Sequence, residues 1–301
     1  MSGTATAHVP FFSVVVPTLD EEKALPNLLR DLLEQTYQDF EVLVVDGKST
    51  DKTKEVALKF EELIPKFIFL ESSEKNVAIQ RNLGAQHSHG EYLFFFDADI
   101  RIPRHYLEGN HYALMKEDSD IWTNALAPDK KSTEAKLITS VQNLVIDGGA
   151  QLGIPYAIGA SLGLRKKVFQ KLGGFDSAIR FAEDTEIVRR AVKTKYHFSL
   201  FKDPQYIFST RRYRKEGTLR LVGRLIPTFI ASLMNIETEA LNITNIYPMN
   251  GGSYYRKKRQ LTRTFRQLKI IEQVIRKMAK SRKASIRKLL NEFNGYFTLE
   301  K

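Results

Sequence analysis

The chain has 301 residues, 43% hydrophobic and 27% charged, and no cysteine. That length holds one large domain plus an appendage, and the missing thiols exclude disulfides and thiolate metal sites, so a reducing cytoplasm is the natural setting. The net charge of +11 is uneven: residues 211–301 carry 21 Lys and Arg against 6 Asp and Glu, a balance of +15, which leaves −4 on residues 1–210. The simplest partition has its boundary near Arg211.

Residues 1–10 show neither the basic nor the apolar region of a secretory leader. Phe11 to Val16 is a short apolar run closed by Pro17-Thr18-Leu19-Asp20-Glu21, and reads as a buried strand. A helix is expected next, with Leu25, Leu28, Leu29, Leu32 and Leu33 at helical spacing and Asp20 or Thr18 as its N-cap. Phe40 to Val45 is a second buried strand, ended by Asp46-Gly47-Lys48-Ser49-Thr50-Asp51. Gly47 permits a tight turn there, and Ser49, Thr50 or Asp51 can cap a following helix. A third strand is expected near Phe67 to Leu70, then a helix from Val77 to His87. Strand alternating with helix at this cadence predicts parallel βαβ units in a doubly wound sheet.

The fourth strand, Tyr92-Leu93-Phe94-Phe95-Phe96, ends in Asp97-Ala98-Asp99. Ligands bind at the carboxyl ends of strands in open α/β sheets. Two hard oxygen donors there, with no Cys or His beside them, suit Mg²⁺ or Mn²⁺ held jointly with a phosphate-bearing substrate. Asp20, Glu21 and Asp46 end neighbouring strands along the same edge.

These segments resemble the family 2 glycosyltransferases. The resemblance rests on Val14-Val15-Val16-Pro17-Thr18-Leu19-Asp20-Glu21-Glu22, Val44-Val45-Asp46-Gly47-Lys48-Ser49-Thr50-Asp51, Arg81-Asn82-Leu83-Gly84 and Phe96-Asp97-Ala98-Asp99. It continues in Leu172-Gly173-Gly174-Phe175-Asp176 and Ala182-Glu183-Asp184-Thr185-Glu186. It implies a GT-A (Rossmann-like) α/β fold: a mixed, mainly parallel sheet with helices on both faces, here followed by a basic helical C-terminal extension. The expected division is a catalytic domain over residues 1–212 and the extension over residues 213–301.

The activity implied is metal-dependent, inverting transfer of a sugar from a nucleotide-diphosphate sugar, UDP-linked, to an acceptor hydroxyl in surface-polysaccharide or glycolipid assembly. By the resemblance, Asp46 accepts from the donor base, and Thr18 and Glu21 line the same pocket, Thr18 through its backbone. Arg81 faces the nucleotide side, its alternative being an ion pair on the helix surface. Asp99 coordinates the divalent metal, Mn²⁺ or Mg²⁺, and Asp97 contacts ribose, the metal or a metal-bound water. Asp184 is the base that takes the acceptor's proton, with Glu183 orienting it; an inverting reaction needs no enzyme nucleophile. The acidic triplet Glu183, Asp184 and Glu186 also suits the first turn of a helix running to Lys193.

Gly159-Ala160-Ser161 is expected on a strand, either against the donor sugar or in close packing. Gly173 and Gly174 shape a turn. Leu19-Asp20 departs from the family's commoner Tyr-Asn, and Lys48 stands where small residues are frequent. Where many relatives have a metal-binding histidine, this chain has Ser209-Thr210-Arg211-Arg212. Arg211 and Arg212 can clamp the diphosphate or form a basic collar on anionic lipid. His197 is expected to be packed in an aromatic strand.

Leu219 to Met234 is too interrupted by Arg220, Arg224 and Pro227 to span a bilayer. Together with the basic run Arg256-Lys257-Lys258-Arg259 and the apolar series Leu261, Phe265, Leu268, Ile271, Ile275 and Met278, it predicts amphipathic helices. They suit either an anionic membrane surface or packing on the catalytic domain and partner chains. The expected location is cytoplasmic, peripheral at the inner face of the cell membrane, with a saccharide or lipid-linked acceptor. A polyprenyl-phosphate sugar synthase using a GDP- or UDP-sugar is the alternative enzyme. Outside catalysis, the alternatives are a nucleic-acid-binding protein acting through the basic tail and an inactive scaffold. No nucleic-acid module accompanies that tail, so nucleic acid is not an expected partner.

Overall fold

The computed structural model describes residues 8–151, 156–179 and 182–216. Its strands are β1 (Phe12–Thr18), β2 (Phe40–Asp46), β3 (Phe67–Glu71), β4 (Tyr92–Phe96), β5 (Ile121–Pro128), β6 (Ser161–Arg165) and β7 (Phe198–Phe208). They form one sheet in the order β3-β2-β1-β4-β6-β5-β7. The β3-β2-β1-β4 half is parallel; β6 runs against both β4 and β5, and β7 is parallel to β5. The expected mixed, mainly parallel α/β sheet is therefore present.

The helices are α1 (Leu25–Leu33), α2 (Thr53–Leu58), α3 (Val77–His87), α4 (Tyr106–Lys116), α5 (Thr133–Gln151), α6 (Lys166–Leu172), α7 (Glu183–Lys193) and α8 (Arg211–Glu216). They cover both faces because each central strand is apolar on both sides. Val14, Val16, Phe94 and Phe96 face one core layer with the α1 leucines, Tyr106 and Leu107 of α4 and Ile146 of α5. Val15, Leu43, Val45, Leu93 and Phe95 face the other, with Ala78 and Ala85 of α3, Phe169 of α6 and Ile187 and Val188 of α7.

Helix α1 starts without the expected cap. Its N-cap is Ala24, with no side-chain hydrogen bond. Asp20 instead adopts a left-handed conformation, φ 53°, and accepts from Thr50 N–H at 2.7 Å. Burial of Leu25, Leu28, Leu29 and Leu32, worth about 1.5–3 kcal/mol each, holds the helix in place of the cap.

Helix α3 is capped by Asn76, whose side chain accepts from Ala78 N–H at 2.9 Å. Its Gly84 lies so close to the sheet that a Cβ would stand 2.4 Å from Val15 Cγ1. This contact lowers α3 onto β1 and β2, which brings the residues beside Gly84 to the strand ends.

Helix α8 crosses the boundary expected between residues 212 and 213. The amphipathic segments expected further along lie outside the described residues. Among the described residues no helix is long and apolar enough to cross a membrane.

Candidate active site

The loops after β1 and β2 lock to each other. Ser49 Oγ accepts from Asp20 N–H at 2.8 Å, Thr53 Oγ1 from Glu21 N–H at 2.8 Å, and Asp51 Oδ2 from Glu22 N–H at 3.1 Å. The left-handed Lys48, φ 61°, turns the second loop back towards the first. Asp46, 5% exposed, accepts from Thr18 Oγ1 at 3.1 Å, from Ser49 N–H at 2.9 Å and from Ser49 Oγ at 2.5 Å. A carboxylate has about four acceptor sites, so one remains.

Thr18 is held through its backbone. Its carbonyl accepts from Gly47 N–H at 2.8 Å and from Gln80 Nε2 at 2.8 Å, and the residue is buried. Thr18 acts by fixing Asp46. Gln80 also donates to Val45 O at 2.7 Å, joining α3 to both loops. Gln80 was unforeseen from sequence; its place beside Arg81 among the small residues Ala78, Gly84 and Ala85 was the available signal.

The next residue, Arg81, is the hub of the site. Only 2% exposed, it donates from Nη1 to Glu183 at 2.7 Å and from Nη2 to Asp97 at 3.0 Å and to Gly159 O at 3.1 Å. Its ring-facing side lies over Phe175, 5.3 Å from the centroid. Both terminal nitrogens of Arg81 bond protein acceptors, whereas its buried Nε has no hydrogen-bond partner among the described residues. Asn82 holds Phe175 through Nδ2 to the carbonyl at 2.8 Å and N–H to Oδ1 at 2.9 Å. The turn so held contains Gly173 and Gly174, at φ 79° and 77°, as expected of a left-handed helix end.

Glu183 and Asp184 open α7 after Ala182, itself left-handed at φ 61°. Asp184 accepts from Thr185 N–H at 2.6 Å and from Gly159 N–H. Gly159 thus serves both partners, its carbonyl binding Arg81 and its N–H binding Asp184. A Cβ there would stand 2.7 Å from Asp184 Oδ2, so the small residue is required by the acids. It lies in the turn before β6, not on the strand. Burial, reinforced by the adjacent Glu183, pushes the Asp184 carboxyl up to about 7.

On the other side of the acids, Arg211 donates from Nη1 to Glu21 Oε2 at 2.9 Å and from Nη2 to Glu21 Oε1. Its Nε pairs with Asp99 Oδ2 at 2.9 Å. Burial pushes Glu21 up to about 7 even so, and raises Asp99 as well. Both carboxylate oxygens of Glu21 thus accept from Arg211. Arg212 is the next residue of α8, half-buried.

Asp97 and Asp99 converge on the site as expected, each with its own arginine. The side chain of Asp97 is 40% exposed and that of Asp99 22%. His197 is exposed rather than packed, with Nδ1 3.2 Å from Asp118 O. Tyr206 of β7, unforeseen from sequence, buries its hydroxyl within electrostatic reach of Asp97, Asp184 and Asp99.

The family model described as Glycosyl transferase family 2 matches residues 13–173. The chain belongs to this family. The match takes in Asp46, Arg81, Asp97 and Asp99 of this family 2 chain and stops before Glu183, Asp184 and Arg211.

It is 37% identical over 107 residues to validoxylamine A glucosyltransferase of Streptomyces hygroscopicus subsp. limoneus, covering 35% of this chain and 24% of that one. To poly(ribitol-phosphate) beta-N-acetylglucosaminyltransferase TarS of Staphylococcus aureus it is 34% identical over 113 residues, covering 36% and 20%. The family 2 chain thus spans a quarter or less of the length of these relatives.

Among solved structures, mannosyltransferase PcManGT from Pyrobaculum calidifontis, in complex with GDP-Man and Mn²⁺, superposes with a TM-score of 0.60 at 19% identity, covering 93% of this chain and 88% of that one. S. aureus TarS in complex with UDP-GlcNAc gives 0.52 at 21%, covering 78% and 70%. These likenesses establish the shared fold.

Proposed function

We propose that the chain transfers a sugar, with inversion, from a nucleotide-diphosphate donor to an acceptor hydroxyl, with Asp184 as general base. The observation that carries this is the Arg81 guanidinium. It gathers Asp97 from the donor strand and Glu183 from α7 around one point, with Asp184 joined through Gly159. A base with a pKa near 7 is matched to neutral pH. Asp184 takes the hydroxyl proton as the acceptor oxygen bonds to the anomeric carbon. The bond from that carbon to the diphosphate breaks, and the electron pair leaves with the nucleotide diphosphate. Glu183, ion-paired to Arg81, fixes the start of α7 and so the direction of Asp184.

The residues fit a divalent metal. Among the described residues, Asp97 and Glu183 pair with Arg81, and Glu21 and Asp99 with Arg211, so two guanidinium groups are shared by four acids. Such a cluster suits a further cation beside an incoming diphosphate. A guanidinium already lies against Asp99, as a cation would. Among the described residues no group of three or more His, Asp or Glu could hold a metal ion, so diphosphate oxygens and water would have to complete the shell. Asp99 and Asp97 would hold it, and when bound it supplies charge neutralisation to the leaving diphosphate. The open acceptor site of Asp46 suits the N3–H of uracil, and UDP is the first donor to test. The superposition on a GDP-Man complex makes GDP the second.

Residues 213–301 we assign, on their share of the +15 balance at residues 211–301, to a basic extension on the anionic cytoplasmic face of a membrane, near a lipid-linked or saccharide acceptor. Thermal unfolding with UDP, GDP, CDP or TDP, each with and without Mn²⁺, tests the donor reading. A nucleotide at about 100-fold over Kd adds roughly 2.7 kcal/mol. A Mn²⁺-dependent shift with one nucleotide, lost in Asp99→Ala, supports the site; no shift with any of them removes it.

A further inference from the structure

We propose that Arg211 competes directly with a divalent cation for Asp99, and that Glu21 is the acid on which the displaced guanidinium stays. The inference rests on the reading of Asp99 as a metal ligand. Arg211 touches two carboxylates in unequal ways. Both terminal nitrogens are engaged by Glu21 as a fork, whereas Asp99 is met by Nε, at 2.9 Å, and also accepts from Ser209. An arriving metal would need an oxygen of Asp99 and would repel the guanidinium beside it. Breaking the Nε contact takes the guanidinium off Oδ2 while the two bonds to Glu21 persist.

The backbone around Arg211 is anchored independently of those acids. Thr210 N–H and Oγ1 donate to Asp129 at 3.2 and 2.6 Å, Gln142 Nε2 donates to Tyr213 Oη at 3.0 Å, and the Tyr213 ring meets Phe208 edge-on at 6.2 Å. The exchange therefore needs only side-chain movement. Glu21 is well placed for this second role, since its backbone is itself fixed by Thr53. This assigns a purpose to the buried Glu21 within the site.

Mn²⁺ binding to the full chain, read from the free-ion electron paramagnetic resonance signal without nucleotide, tests the proposal. Arg211→Gln should bind Mn²⁺ about tenfold or more tightly than the unaltered chain, the weight of one hydrogen bond between charged groups. Arg211→Lys separates direct competition from a general field effect. It keeps the charge, but a single ammonium cannot hold both Glu21 oxygens and Asp99 together, so it too should bind more tightly. Thermal unfolding establishes that each variant is folded. Mn²⁺ affinity equal to the unaltered chain in Arg211→Lys, or in both variants, overturns the proposal. If Mn²⁺ binds the unaltered chain neither alone nor with UDP or GDP, and Asp99→Asn changes nothing, the metal reading fails instead.

Discussion

Arg81 Nη1 lies 2.7 Å from Glu183 Oε1, across 102 residues of sequence and in a place where the arginine is 2% exposed. A buried guanidinium holding two acids is costly to assemble and more costly to break, because removal of one partner strands the others. Breaking such a pair typically costs about 3–5 kcal/mol. Arg81→Met is expected to lose stability of that order in urea unfolding at pH 8. Arg81→Lys should fall between, since an ammonium reaches one carboxylate where the guanidinium reaches two. Equal stability of Arg81→Met and the unaltered chain would show that the acids do not depend on it.

The residue types of the site were legible in sequence, and their partners were not. Apolar runs ending in Asp46 and Asp97 mark strand ends because the strands are buried on both faces, and the acids of α7 mark its start. Nothing local in Arg81-Asn82-Leu83-Gly84 says which residues the arginine meets, since Glu183 comes to it through the tertiary fold. The same holds for Glu21 and Arg211, 190 residues apart. Local caps failed for a related reason: Asp20 bonds the neighbouring loop because that loop is brought alongside by β1–β2 pairing, a non-local event.

Asp184→Asn removes the proposed base while keeping the acceptor oxygen towards Gly159 N–H. Turnover should fall by about 10²- to 10⁴-fold, with the nucleotide-induced thermal shift retained. In the unaltered chain, kcat/KM should rise with pH and level off above about 7, where the Asp184 carboxyl has ionised. A rate that is flat from pH 5 to 8 would assign the proton to another group.

Stability should vary with pH along two opposed limbs. Burial holds Asp184 and Glu21 up to about 7, from ordinary values of 3.8 and 4.5. Their folded pKa exceeds the unfolded one, so their contribution is full at pH below 4 and is lost as pH rises through 7. Glu41 acts the other way. Burial would raise it, but donation from Ser13 Oγ at 2.5 Å and from the His89 backbone and ring holds it below 4.5. Its contribution is present above 4.5 and is lost as pH falls. Urea midpoints from pH 3 to 9 should show both limbs, with the neutral one flattened in Asp184→Asn and the acid one in Glu41→Gln.

Two glycines separate the fold from the chemistry. At Gly84 an added Cβ would stand 2.4 Å from Val15 Cγ1 and 3.1 Å from Val45 Cγ2, side chains locked in the core. Overpacking of this kind costs about 1–3 kcal/mol, set against about 1 kcal/mol gained in helix propensity over glycine. Gly84→Ala should therefore be less stable in urea, with kcat close to that of the unaltered chain. At Gly159 the added Cβ would meet Asp184 Oδ2 at 2.7 Å and Arg81 Nη2 at 2.9 Å, the bonded ends of the two side chains that Gly159 itself holds. Relief of that contact shifts the base, and misplacement by about 1 Å can cost about 10²-fold in rate. Gly159→Ala should therefore lose turnover as well as stability, where Gly84→Ala loses stability alone. Full turnover in Gly159→Ala would place Asp184 and Arg81 among the packing residues and remove them from the reaction.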